Sequence, residues 1–443
     1  MRFLTFILIV FLSSWSAWAR PEHGDVREAL DRAVQYLDLS QQKVTSGEDY
    51  FSGEWPSTMR STRRIPLIGP AGTGGYDSNS FTVSSIHNAL ASIWKRQQLE
   101  RIPPMLDLSM ERILSYQNGD SFNFWPLLEP KLYQSTDPAF ARIRRPNHFP
   151  IKYARLEAGC NVYNDADDTA VAFTAMQNYN LVRPENALEL PSEIGPVFSR
   201  FRDVNRWTPH FYNLLHRTIN TGAFMTWLED EKPFRPKSYI PSTNRFYLPF
   251  GLNDVDCVVN ANVLNALARY DELDTPGVKE ACRYIERAFR KGRQKSCGVY
   301  YPSPFNAHYV VAKAFDAGVK CLEPAVKIAV KDILKKQLPD GSWRSSISGD
   351  DVHTSLYALN ALLYAGQFET FSSGSAIDLG IGKALLSGHK NFDGSMSWKE
   401  GVFFSGGTFA RHWIFWKSEA YTTSLAADAL SLYLERHGNM AAE

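Results

Sequence analysis

Three carboxylates in four residues, Asp165, Asp167 and Asp168, run straight into the apolar stretch Val171-Ala172-Phe173-Thr174-Ala175-Met176. Asn164 stands just before them, where a helix cap would stand. The acids then fall in a first helical turn, where the positive end of the helix dipole favours negative charge. Capping, however, needs one side chain, and three acids this close repel one another. Crowding of that kind raises a carboxyl's pKa until it keeps a proton near neutral pH and can work as a general acid.

The acidic stretch has copies. Residues 164–172 read NDADDTAVA and residues 253–261 read NDVDCVVNA. In this register Asp254 and Asp256 fall against Asp165 and Asp167. The second copy continues as NVLNALARY, which lines up with YALNALLYA from Tyr357, and that third copy begins Gly349-Asp350-Asp351-Val352-His353-Thr354. A repeated helix cap would also produce a recurring acid, at ~0.3–1 kcal/mol each, so the repeat leaves both readings open.

The elements that must position these residues repeat as well. A short turn with glycine and an aromatic recurs at 120–125, 222–227, 340–343 and 393–398. Amphipathic patterns at 106–116, 211–219, 278–289, 325–334 and 377–386 mostly precede these turns and predict outer helices. Six Ala-rich stretches that are apolar on nearly all sides, at 80–94, 165–176, 254–270, 306–317, 351–364 and 419–434, predict inner helices. Six such hairpins close into an all-α (α/α)6 toroid, and closure removes the exposed ends of an open solenoid. Long loops at 40–76, 130–159 and 230–251 lead into the first three inner helices, at the rim where those helices begin, as binding loops and lids do. Gly72-Thr73-Gly74-Gly75 lacks the Lys and Ser/Thr of a phosphate-binding loop and reads as a turn.

The run Asp165-Ala166-Asp167-Asp168-Thr169-Ala170 resembles the Asp-x-Asp-Asp-Thr-Ala signature of squalene–hopene and class II terpene cyclases. Gln337-Leu-Pro-Asp-Gly341-Ser-Trp343 resembles the QxxDGxW repeat of the squalene cyclase and prenyltransferase superfamily. The resemblance implies a helical ring, protonation of an alkene or epoxide by Asp167, and cyclisation of an isoprenoid-like substrate, with Asp165 and Asp168 keeping the donor protonated. No cofactor and no metal are expected, since the DDxxD magnesium motif of class I terpene synthases is missing. Two departures stand out: only one six-hairpin ring is found where such cyclases generally use two helical domains, and the chain carries an export signal.

Other constellations compete. Prenyltransferase β-subunits share the ring and hold zinc with Asp, Cys and His, a sound donor set. Here Asp256 and Cys257 are adjacent and would point about 100° apart on a helix. Cys257, His308 and His353 would be the remaining candidates. A polysaccharide hydrolase or lyase would pair Asp167 with Asp256 or Asp351 across a groove, with Trp413 and Trp416 stacking sugar rings. A diphosphate could meet the basic run Arg142, Arg144, Arg145, Lys152 and Arg155, although most charge runs are solvated surface. A toroid that only binds a lipid or peptide is the non-catalytic alternative. The substrate-contacting candidates are thus Asp254, Asp256, Asp351, His353, Trp413 and Trp416, and the partner is a small apolar or glycan ligand.

Composition narrows the field. The chain has 443 residues and a net charge of +1, so nothing draws it toward nucleic acid, and 13% aromatics suits an apolar cavity or sugar stacking. Met1-Arg2, an apolar run from Phe3 to Leu12 and the small-x-small Ala17-Trp18-Ala19 form a leader at 1–19. The expectation is a secreted or periplasmic protein whose single domain spans 20–443, with an uncleaved anchor and peripheral membrane contact as the rival. Five cysteines show no CxxC pairing, and export would permit a disulfide among Cys282, Cys297 and Cys321.

Overall fold

The computed structural model describes residues 20–65, 68–132, 134, 138, 141–148, 150–206, 213, 219–229, 253–366, 371–406 and 412–440. The leader at 1–19 and the loop at 230–251 lie outside them.

The chain forms an (α/α)6 toroid. Its helices are α1 (His23–Ser40), α2 (Ser80–Gln97), α3 (Ile102–Leu114), α4 (Ala154–Gly159), α5 (Ala166–Val182), α6 (Gly195–Ser199), α7 (Cys257–Arg269), α8 (Val278–Arg290), α9 (Asn306–Asp316), α10 (Glu323–Lys336), α11 (Asp351–Tyr364), α12 (Phe371–Ser387) and α13 (Glu419–Met440). The inner ring runs α2, α5, α7, α9, α11, α13, each packed on the next, and α13 packs back on α2 to close it. Burial separates the two shells. Fourteen of the 17 residues of α5 are buried, whereas α10 buries only Ala325, Val326, Ala329 and Ile333, a one-sided stripe.

All six predicted inner helices are present, within a few residues of their expected ends. Four of the five outer patterns became α3, α8, α10 and α12. The fifth, at 211–219, falls outside the described residues apart from Asn213 and Ile219. The outer helix α1 was not read from the sequence, although Val26, Ala29, Leu30, Ala33, Val34 and Leu37 mark its buried face at helical spacing. It lies against α13 and α3, which joins the first hairpin to the last.

The all-α expectation needs one addition, a small antiparallel sheet. It is formed by β1 (Thr58–Ser61), β2 (Gly74–Tyr76), β9 (Gly401–Ser405) and β10 (Ile414–Ser418), in the order β2-β1-β10-β9. Among the described residues three two-stranded hairpins complete the strands: β3–β4 (Gln117–Asn118, Ser121–Phe122), β5–β6 (Leu127–Leu128, Ile143–Arg144) and β7–β8 (Gly388–Lys390, Met396–Trp398). Because β2 runs into α2 and β10 runs into α13, the four-stranded sheet stands at the end of the ring where the inner helices begin. Gly74 and Gly75 therefore belong to a strand, not a turn. Gly74 has φ +153°, and a Cβ there would lie 1.9 Å from the Met59 carbonyl oxygen, so only glycine fits.

Disulfides join Cys257 to Cys297 and Cys282 to Cys321, and Cys160 is free. The second pair lies within the set the sequence proposed, whereas Cys297 has Cys257 as its partner.

Candidate functional site

Two inner helices start in the same way. Asp165 caps α5, its Oδ1 accepting from the backbone N–H of Asp167 (3.0 Å) and Asp168 (2.8 Å). Asp256 caps α7, its Oδ1 accepting from Val258 (2.7 Å) and Val259 (3.3 Å). Four residues past each cap a side chain clamps the preceding turn at both backbone groups. Thr169 holds Phe122, and Asn260 holds Phe224. The structural equivalent of Asp165 is therefore Asp256, two residues out of step with the sequence alignment. The equivalent of Asp167 is Val258. Capping explains Asp165 and Asp256, and it leaves Asp167 unexplained.

Asp167 is buried, and its carboxylate is met from two other inner-ring segments. Its Oδ1 accepts from Asn262 Nδ2 of α7 (2.7 Å), and its Oδ2 accepts from the hydroxyl of Tyr301 in the turn before α9. Burial raises its pKa well above the ordinary carboxylate value. Asn262 works against that rise, while the nearby Asp165 and Asp256 charges add to it. Asp168 is raised well above that value too, by burial and then by Asp165, and its Oδ1 has no hydrogen-bond partner among the described residues. Burial also lifts Asp165, to about 6, although its backbone bonds oppose the shift. The helix start thus holds three buried carboxyls whose proton affinities are all raised.

The neighbouring acids are committed elsewhere. Asp256 Oδ2 accepts from the backbone N–H groups of Val299 and Tyr300, in addition to its capping bonds, and burial lifts it to about 7. Asp254 accepts from the Thr226 hydroxyl (2.5 Å) and the Tyr300 hydroxyl (2.8 Å). Together these two aspartates fasten the Val299-Tyr300-Tyr301 segment that brings Tyr301 to Asp167. Tyr300, Tyr301 and Asn262 were not picked out from the sequence. Gly298-Val299-Tyr300-Tyr301 is one more glycine/aromatic turn, and that was the available signal.

Aromatic rings surround this point. Phe81 lies 5.9 Å from Tyr301 and 5.9 Å from Phe403, with Phe404 and Tyr421 at 6.5 and 6.2 Å. Phe404 stacks on Tyr300 at 5.5 Å and on Phe124 at 5.2 Å, and meets Trp416 edge-on. Phe403 and Phe404 come from β9, so the sheet supplies part of this wall. The arrangement is a buried acid of raised pKa that reaches a cluster of aromatic rings through the Tyr301 hydroxyl.

The remaining candidates do not converge on Asp167. Asp351 is exposed, accepts from the Ser345 N–H (2.7 Å), and borders a 240 Å³ cleft between α11 and α12 that also contains Asp340 and Lys383. Its neighbour Asp350 accepts from the Val402 N–H of β9 (2.8 Å), and burial raises it to about 7. His353 is buried, shares a hydrogen bond with the Thr422 hydroxyl (2.8 Å), and is pushed by burial down to about 3. Trp416 donates to Asp77 Oδ2 (2.7 Å) from inside the aromatic cluster, whereas Trp413 is 38% exposed with Arg63 over its ring. The zinc candidates separate: Cys257 is in a disulfide, and His308 contacts Asp332 of α10 (3.0 Å). No grouping of three or more His, Cys, Asp or Glu suited to a metal occurs among the described residues. In the basic run, Arg144 is spent on the carbonyls of Trp125 and Gln117, and Arg145 on Glu48, Glu157 and the Glu129 carbonyl. Lys152 and Arg155 are exposed.

No family model matches the chain, and no curated protein sequence does. Solved structures do. The type II terpene cyclase MstE from Scytonema, in its apo form, superposes with a TM-score of 0.54 at 14% identity, over 92% of this chain and 98% of that one. A variant of MstE in complex with its substrate, geranylgeranyl dihydroxybenzoate, gives 0.51 at 13% identity, over 93% and 97% of the two chains. A protein from Actinoplanes gives 0.51 at 14% identity, over 93% and 99%. At these identities the likeness is one of fold. It spans nearly the whole of both chains in each pair.

Proposed function

We propose that the chain is an exported acid-initiated cyclase acting on a small apolar, isoprenoid-like substrate, with Asp167 as the proton donor. The observation that carries this reading is the two-residue register shift. Asp167 is a buried carboxylate with no capping duty, and its surroundings favour its protonated form. Asp165 and Asp256 supply crowding charge, Asp168 is a second buried carboxyl on the same turn, and Asp254 and Asp256 position the Tyr301 segment. The Asp167 proton passes to a terminal alkene carbon, the π pair becoming the new C–H bond. The resulting cation moves through the remaining double bonds as rings close; a proton then leaves carbon for solvent, its C–H pair becoming a double bond, and the Asp167 carboxylate takes a proton back from solvent, with no net change in composition. Tyr301, Phe81, Phe403, Phe404 and Tyr421 offer ring faces to that cation and keep water out. That MstE, of similar fold, binds a geranylgeranyl compound agrees with an apolar ligand. Export rests on the 1–19 leader, and two disulfides suit an oxidising compartment.

The test is incubation of purified protein with linear polyprenyl alcohols and esters, and in parallel with a polysaccharide panel, with Asp167→Asn as control. A cyclised product made by the wild type and absent from the variant supports the proposal. Glycan cleavage, or cyclisation undiminished in the variant, rejects it.

A further inference from the structure

The opposite end of the ring, where the inner helices finish, carries a second polar cluster to which every inner helix contributes. Arg96 comes from α2, Asn178 from α5, Arg269 from α7, Lys313 from α9, Tyr364 from α11 and Asp428 from α13. Asn178 lies eleven residues along α5 from Asp167, so the two clusters are about 16 Å apart along the helix.

The partners show what is satisfied and what is not. Arg96 forms a buried ion pair with Asp428, whose other oxygen accepts from the Tyr364 hydroxyl (2.7 Å), and its Nε donates to Ser431 (2.9 Å). Arg269 reaches only the side-chain oxygen of Asn178 (3.3 Å), and its Nε is buried with no hydrogen-bond partner among the described residues. The Lys313 ammonium has one long contact, to the Tyr309 hydroxyl (3.4 Å), and lies 5.6 and 5.8 Å from the Tyr309 and Tyr364 ring centres. Among the described residues, neither Arg269 nor Lys313 forms an ion pair. Lys313 is close enough to feel the charges of Asp428, Arg269 and Arg96, which stand on α13, α7 and α2. Of these only α7 adjoins α9, so the groups meet across the ring, on its axis. Counting Arg436, Asp316 and Glu435, which join the same field, four cations face three carboxylates. Cations at helix C-termini gain from the dipole, by ~0.3–1 kcal/mol when exposed, but solvent-facing side chains would gain it without losing hydration. A half-buried guanidinium and ammonium with carboxylates nearby but no direct ion pair among the described residues are costly unless an anion completes them.

We propose that Arg269 and Lys313, with Arg96 beside them, form a binding recess for a compact oxyanion, of phosphate or carboxylate type, on the ring axis at the end opposite Asp167. Arg269 supplies directional N–H donors and Lys313 a point charge. The inference is independent of the cyclase reading, since it uses no residue of the acidic end.

The test uses the full chain in thermal unfolding with inorganic phosphate, diphosphate and acetate, each against chloride at matched ionic strength. The expected result is a melting temperature that climbs with the logarithm of oxyanion concentration for the wild type and for Asp167→Asn. Arg269→Gln and Lys313→Met should each weaken the anion's apparent affinity at least tenfold, and Lys313→Arg should retain it. Diphosphate or phosphate acting below acetate concentrations would assign a phosphate, and the reverse order a carboxylate. No anion-specific rise in the wild type, or an equal rise in Arg269→Gln and Lys313→Met, overturns the proposal. The wild-type titration decides even if a variant fails to fold.

Discussion

The starts of α5 and α7 are built to one plan and differ in one respect. Each has an aspartate cap bonding two backbone N–H groups, and a side chain four residues later that clamps an aromatic turn. In α7 every oxygen of Asp256 is taken by backbone donors, and the position two residues on is Val258. In α5 that position is Asp167, whose oxygens face side chains of other hairpins. The comparison separates acids the fold needs from an acid the fold merely tolerates. Stability and activity should therefore part company between the two helices.

The largest effect expected is on turnover. Asp167→Asn removes the proton donor while keeping shape, and general-acid contributions of ~10²–10⁴-fold set the scale of the loss. Asp256→Asn should retain far more activity per folded molecule. Product formation normalised to folded protein by circular dichroism measures both. Equal losses in the two variants would erase the distinction.

Stability should show the reverse order. Asp256→Ala strands the Val258, Val259, Val299 and Tyr300 N–H groups, and a lost cap plus buried unpaired donors amounts to ~3 kcal/mol or more. Asp167→Asn should leave stability unchanged or raise it, as replacement of a strained site acid commonly does. Urea unfolding of both variants reads the difference, and a destabilised Asp167→Asn would mean that this acid is structural after all.

The pH dependence sharpens the same contrast. A carboxyl whose folded pKa exceeds its unfolded value binds its proton more tightly in the native state. Its contribution is complete below pH ~4 and is lost as pH rises through the folded value, at no more than ~1.4 kcal/mol per pH unit for each group. Asp165 at about 6 and Asp256 and Asp350 at about 7 set the window, with Asp167 raised as well. Stability should thus decline from pH ~4 to ~7, and Asp167→Asn should decline less steeply. Urea midpoints across that range report the slope, and a wild-type stability that rises with pH there would contradict it.

Much of this was legible in the sequence, for physical reasons. An inner helix buried on all sides must be Ala-rich and apolar all round, so the six inner helices could be found from one chain. The acidic helix start showed itself by like charges crowded beyond what a cap requires. The register did not, because NDADDTAVA and NDVDCVVNA match best when the Asn-Asp pairs are aligned, whereas the fold aligns the caps and the Thr169 and Asn260 clamps. Tyr301 and Asn262 escaped because they approach Asp167 from other hairpins, at separations of 134 and 95 residues. The sheet escaped because its strands, three to five residues long, pair β1 with β10 across most of the chain.

The smallest effect concerns Tyr301, and it tests whether the difference between the helices lies in Asp167 alone or in what surrounds it. The Tyr301 hydroxyl donates to Asp167 Oδ2 and so favours the ionised acid. A phenylalanine keeps the ring beside Phe81 and Phe404 and removes only that bond. Two consequences oppose each other. The acid becomes harder to ionise, which weakens it as a proton donor, while more of it is protonated at neutral pH. With a net hydrogen-bond contribution of ~0.5–1.5 kcal/mol, Tyr301→Phe should lower the rate at most about tenfold and change stability by less than ~1 kcal/mol. The alkaline limb of the pH–rate profile separates the two consequences. In Tyr301→Phe the loss of rate on raising pH should set in at a higher pH than in the wild type, because Asp167 keeps its proton longer. An unshifted profile would show that the hydroxyl does not govern the proton on Asp167, and would leave Asn262 and burial to set its strength.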